Sequence, residues 1–182
     1  MPIAPPPAFL AKLKAELPTS TATQRSQWAS TIVEQQFDIP TLSTLLHAPQ
    51  PIATRFCWLL SELGELSPNT LHKALPYLLN LSNTITHINM KPAFANYWRI
   101  AGVPEQNEAQ AIQLLFGWLH APSTSVTIKG RAMLVLQTLC SKHPDLRGEL
   151  LQTLQQQQHL HSPNFAKRVA KVLQALEATT HP

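Results

Sequence analysis

Charge is scarce in this sequence. Asp, Glu, Lys and Arg make up 13% of the 182 residues, about half the share of an ordinary globular domain, and Gln, Ser, Thr and Asn furnish much of the polar surface instead. Aspartate occurs only as Asp38 and Asp145, both at expected helix starts where N-capping accounts for them. Glycine numbers five, and no Asn-Gly or Asp-Gly pair is present, so the tight turns that most often close β-hairpins are missing. Sustained apolar–polar alternation is missing too, and together these exclude a sheet-based fold. No apolar run reaches the roughly 18 residues that a membrane helix needs. The opening Met-Pro-Ile-Ala-Pro-Pro-Pro has neither the basic region nor the unbroken apolar core of a secretory leader. Two cysteines, Cys57 and Cys140, lie inside apolar helical patterns without partner spacing, and both are expected reduced and buried. A cytoplasmic protein without a membrane partner is the expectation that follows.

Nor are the common chemical motifs present. The sequence has no glycine-rich phosphate loop, no Gly-x-Ser-x-Gly, no His-Glu-x-x-His and no Cys-x-x-Cys. Eight histidines occur, but no cysteine or acid accompanies the pairs they form, so no metal site is expected. His47 and His120 stand in equivalent turns and read as local hydrogen-bonding groups, while His159 and His161 would splay apart on a helix. No cofactor is implied.

What is present is helical. Hydrophobic residues reach 44% and the net charge is +4, enough apolar content for a packed core and only a mild bias toward acidic partners. At this length one domain can bury about two-thirds of its unfolded surface. Sixteen prolines punctuate the chain. Most fall between apolar-periodic segments or in first turns, where the missing N–H is tolerated. Residues 1–7 read as a flexible, proline-rich N-terminal tail, residues 8–178 as one domain, and residues 179–182 as a C-terminal tail. Helical periodicity covers 8–17, 21–36, 39–47, 51–64, 68–82, 91–102, 105–120, 127–142, 145–158 and 163–178.

These segments repeat. Aligning Arg55, Arg131 and Arg168 superposes Leu60, Leu136 and Leu173, and also Leu63, Leu139 and Leu176. The stretch from Ala93 to Gly102 fills the gap between the first two, with Gly102 under Gly64, and sets a period of about 37–38 residues. Leu-His-Ala-Pro at 46–49 and 119–122, and Leu-His-Ser-Pro at 160–163, each precede the second helix of a pair. A degenerate first pair is marked by Arg25-Ser-Gln-Trp28, which echoes Arg55-Phe-Cys-Trp58. The expected fold is all-α, a right-handed α-α superhelix of about five helical hairpins that bury their apolar faces only against neighbours.

On these residues the chain resembles HEAT and armadillo-type α-solenoids over nearly all of 37–178. The resemblance implies that the second helices line a concave surface. There Arg55, Trp58 and Glu62 project together at i, i+3 and i+7, beside a core stripe of Phe56, Leu59, Leu60 and Leu63. The corresponding stripe carries Asn96 in the next repeat, then Arg131, then Arg168 and Lys171, with Arg25 and Trp28 at its start. Trp98 and Trp118 read as core. HEAT units usually place an Asp before the second helix, which braces the basic column. None of the four turns here has one, Asn164 being the nearest substitute, so the resemblance implies basic residues freer to face a ligand. Hydrogen bonding between repeats is the simpler use for them, and Glu62 is expected to pair with Arg55.

Two functions follow as expectations. One is a non-enzymatic protein-interaction or scaffold module that holds a protein or peptide on the concave face, or a subunit of a larger assembly. The alternative is a nucleic-acid binder, since arginines interleaved with aromatics suit stacked bases. That alternative extends to a relative of the HEAT-like alkyl-base DNA glycosylases, although the catalytic Asp of that family has no counterpart in the stripe.

Overall fold

The computed structural model describes residues 2–178, and the expected C-terminal tail at 179–182 lies outside them. Among the described residues regular structure is helical, apart from one isolated parallel bridge between Ile3 and Phe37. Residues 8–178, read from the sequence as one domain, fall into two compact units that divide between Asn107 and Glu108. The first unit carries α1 (Pro7–Glu16), α2 (Ala22–Glu34), α3 (Ile39–Leu42), α4 (Ile52–Leu66), α5 (Pro68–Ser82) and α6 (Lys91–Ala101). The second carries α7 (Glu108–His120), α8 (Val126–Leu139), α9 (Leu146–Gln157) and α10 (Pro163–Ala178). No helix among the described residues is long and apolar enough to cross a membrane.

Local chemistry sets the boundaries. Thr21 and Gln24 form a capping box that opens α2, each side chain answering the other's backbone N–H. The Asp38 carboxylate accepts the Thr41 N–H at 2.8 Å and caps α3. Asp145, expected to do the same for α9, makes no such bond. Prolines occupy the first turns of α1, α3, α5 and α6. The helix expected over 39–47 breaks after Leu42 into a 3-10 turn, Ser43–His47. The Ser43 hydroxyl bonds the Ile39 carbonyl at 2.8 Å and the Thr44 hydroxyl bonds that of Thr41 at 2.8 Å, side-chain donors that compete for the α-helical acceptors.

The segment expected as a flexible tail is anchored over part of its length. Ile3 donates its N–H to Gln36 O at 3.0 Å and its carbonyl accepts from Asp38 N at 2.8 Å, and Pro5 is buried. Gln36 turns the chain there with a positive φ of 53°.

Within the first unit α4 packs against α2, α5 and α6. Its face of Phe56, Leu59, Leu60 and Leu63 is wholly buried, each side chain contributing about 1.5–3 kcal/mol of burial. Tyr97, fully buried on α6, donates its hydroxyl to Cys57 O at 2.8 Å. Five of the side-chain bonds in this unit span a similar interval, while His72 Nδ1 meets the Ala101 carbonyl across 29 residues. Ser26–Glu62, Gln50–His87, Cys57–Tyr97, Ser61–Asn96 and Glu65–Arg99 span 34 to 40 residues.

In the second unit α8 packs against α7, α9 and α10. The aligned leucines Leu136, Leu139 and Leu176 are buried there, as are Leu60 and Leu63 in the first unit. Leu173 is half-buried.

Candidate interaction site

Four of the residues singled out from the sequence meet in the first unit, where α2 lies against α4. Trp58 stands on the outward side of α4 and is 45% exposed. The Arg55 guanidinium lies over its ring, 4.3 Å from the centroid, and that of Arg25, from α2, lies 5.3 Å away. Cation–π attraction of this kind contributes about 0.5–2 kcal/mol, more where water is displaced.

The two arginines differ in their commitments. Arg25 is only 7% exposed. It donates from Nη1 to Ser20 O at 2.9 Å and approaches Glu62 through Nη2 at 3.5 Å. Glu62 also accepts the Ser26 hydroxyl at 2.9 Å. The carboxylate expected to pair with Arg55 thus serves Arg25 and α2, because a buried guanidinium requires a counter-charge more than a half-exposed one does. Arg55 makes no ion pair among the described residues; its guanidinium lies against the Trp58 ring. Trp28, expected beside Trp58, is 6% exposed and belongs to the core. Trp98 and Trp118 are core, in line with the sequence.

Asn96, on α6, meets α4 one turn further along, at Ser61. Its Nδ2 donates to Ser61 Oγ at 3.2 Å, and its Oδ1 accepts from Arg99, which also reaches Glu65 at 3.1 Å. This network straps α6 to α4. A cleft of about 620 Å³, lined in part by Phe37, Pro40, Lys73 and Tyr77, holds none of the expected site residues.

The remaining three belong to the second unit. Arg131 is half-buried on α8, and Arg168 and Lys171 are exposed on α10. The Arg168 guanidinium passes over Gly130, with Nη1 3.6 Å from where a Cβ would stand.

Sequence reasoning missed two polar centres in this unit. Lys129, 1% exposed, donates from Nζ to the Leu119 carbonyl and to Gln157 Oε1 at 3.1 Å. Burial away from any carboxylate lowers its pKa. Gln157 Oε1 also meets His161 Nε2 at 3.0 Å. Burial first, and the nearby Lys129 charge second, lower the His161 pKa. The other centre is Glu108, a buried carboxylate at the start of α7 held by Lys142 Nζ at 2.8 Å and His143 Nε2 at 2.7 Å. Those two hydrogen bonds, Lys142's the stronger, hold its pKa below the ordinary carboxylate value. Glu108 and Lys142 lie 34 residues apart, so the repeat interval itself was a signal for the pair.

Cys57 is buried and its thiol is pushed up to about 11, chiefly by burial. Cys140, expected buried, is half-buried. No group of three His, Cys, Asp or Glu side chains among the described residues converges to hold a metal. Compared with family models, curated proteins and solved structures, the chain matches none.

Proposed function

We propose that the chain is a non-enzymatic interaction module, a HEAT-like right-handed superhelix of helical hairpins that holds a protein or peptide on the face of its second helices. Side-chain bonds recurring at 34 to 40 residues support the repeat, since hairpins stacked in register bring equivalent positions together once per period. A cytoplasmic location belongs to the same proposal.

The observation that carries the reading is the exposed Trp58 held beneath Arg55. Tryptophan and arginine are enriched at interface hot spots, the first for its large rigid contact area and the second for its planar fork of N–H donors. Around them the polar groups are already engaged: Arg25 with Glu62 and Ser20, and Asn96 with Ser61 and Arg99. These bonds join helices to one another, which favours a rigid binding surface over a reacting centre.

The nucleic-acid reading draws less support. It enlisted Arg25, Trp28, Arg55, Trp58, Arg131, Arg168 and Lys171; burial withdraws Arg25 and Trp28 from any strand, while Arg168 and Lys171 stay exposed on α10.

Affinity capture from native lysate with the wild type and with Trp58→Ala tests the proposal. A specific protein is expected with the wild type, and at least tenfold less with the variant, as truncation of a hot spot requires. Identical recovery, or none from either, counts against it. Filter binding at about 50 and about 200 mM salt checks the alternative, for which affinity must fall steeply between the two.

A further inference from the structure

We infer that the Arg55–Trp58 pair is a receptor for a single peptide carboxylate flanked by an apolar side chain. The inference rests on the reading of this face as the binding face and names what is bound there.

Three features of the site point to that chemistry. The first is an uncommitted fork. Arg55 lies over the indole at 4.3 Å and makes no ion pair among the described residues. A guanidinium met by a ring rather than by a carboxylate keeps its N–H donors available, and a carboxylate can take two of them through parallel hydrogen bonds. Contact with the ring also restrains the guanidinium before the ligand arrives, which lowers the ordering cost of binding. The second is apolar area beside that fork. Trp58 is 45% exposed although two guanidiniums lie near its ring, so part of the indole remains for a carbon side chain.

The third is the local charge. Arg25 and Arg55 approach one ring, and Glu62 neutralises the first of them at 3.5 Å. One positive charge is left over. Glu62 stands four residues from Trp58, and its side chain is 27% exposed. A lone carboxylate matches the residual charge, whereas a phosphate dianion or a run of phosphodiesters would bring further negative charge against Glu62. The arrangement therefore selects a monoanion and disfavours a polyanion, discrimination achieved partly by repulsion.

The test uses the full chain, labelled with ¹⁵N, and four probes that separate the chemistry. N-acetyl-phenylalanine carries one carboxylate and one apolar side chain, and its amide removes only the charge. Phenyl phosphate supplies a dianion, and an eight-nucleotide thymidine strand a polyanion. The Trp58 indole N–H signal is identified by its loss in Trp58→Phe. It is expected to shift saturably with N-acetyl-phenylalanine, with a dissociation constant on the order of 1 mM for so small a ligand. The amide and phenyl phosphate should bind at least tenfold more weakly, and the strand should produce no saturable shift. Arg55→Lys, which keeps the charge and loses the fork, should weaken the carboxylate at least fivefold while the rest of the spectrum stays in place; Arg55→Gln should do the same or more. Equal response to acid and amide, an unchanged affinity in both Arg55 variants, or preference for either phosphate probe overturns the inference. If those results appear while Trp58→Ala still loses a captured protein, the carboxylate assignment fails and the interaction reading stands.

Discussion

At the scale of single residues, positions that the sequence alignment superposes serve different physics. Gly64 and Gly102 align one period apart, yet only the first is a close approach. A Cβ on Gly64 would overlap Leu71 Cδ2 and stand 3.3 Å from Ile100 Cγ2, and Leu71 is fully buried with little room to retreat. Gly102 has open space around it but adopts φ 79°, ψ 172° after α6, a region essentially reserved for glycine. Alanine at either position should therefore destabilise, Gly64→Ala by about 1–3 kcal/mol through overpacking and Gly102→Ala by about 1–3 kcal/mol through backbone strain. Urea midpoints measure both. The mechanisms separate in a second background: with Leu71→Ala in place the Gly64→Ala cost should shrink by more than 1 kcal/mol, and the Gly102→Ala cost should not change. Equal costs in the two backgrounds would refute the steric account of Gly64.

At the scale of elements, helix positions were legible in the sequence and the bonds between helices were not. The 3.6-residue pattern located the α4, α5, α6 and α10 segments closely, because each has an apolar face that must be covered. Arg25 and Arg55 share the local pattern Arg-x-x-Trp, which does not distinguish them. Glu62 lies on α4 with Arg55, yet the packing of α2 against α4 brings its carboxylate to Arg25 instead. The same holds where α8, α9 and the turn before α10 meet, with Lys129 and His161 converging on one amide oxygen of Gln157. This junction has a pH dependence whose sign follows from His161. Its pKa is lowered in the fold, so the unfolded chain binds the proton more readily and stability falls as pH drops below the ordinary histidine value of about 6.5. A second loss follows below the ordinary glutamate value of about 4.3, as the depressed Glu108 carboxylate is protonated and releases Lys142 and His143. The urea midpoint of the wild type should decline between pH 7.5 and 5, roughly the histidine range. His161→Gln, which retains a donor for Gln157 and cannot be charged, should decline measurably less. Parallel curves would show that His161 does not drive the loss.

At the scale of the whole molecule, the recurrence of Leu and Arg at about 37–38 residues was visible in the sequence, and the aligned Leu60, Leu136, Leu63, Leu139 and Leu176 are all buried. The division between Asn107 and Glu108 was not visible, because the same periodicity runs through both sides of it. The first unit contains its own set of bonds spanning 34 to 40 residues, Ser26–Glu62, Cys57–Tyr97 and Glu65–Arg99 among them, together with buried apolar side chains distributed from Leu13 to Val103. A chain whose apolar faces are covered by neighbours within itself needs nothing further to fold. Residues 1–107 expressed alone should therefore unfold in one cooperative urea transition, with near-ultraviolet circular dichroism from its buried aromatics, and with an unfolding enthalpy on the order of 60–80 kcal/mol near its midpoint, as expected for about 100 residues. A shorter piece ending at residue 66 keeps α2 against α4 but loses the helices that cover the rest of α4, Leu71 and Tyr97 included. It should retain far-ultraviolet helix signal, bind a hydrophobic dye and show no sharp transition. If the 107-residue piece behaves like the 66-residue one, its stability depends on residues beyond the division, and the first unit is not a folding unit in its own right.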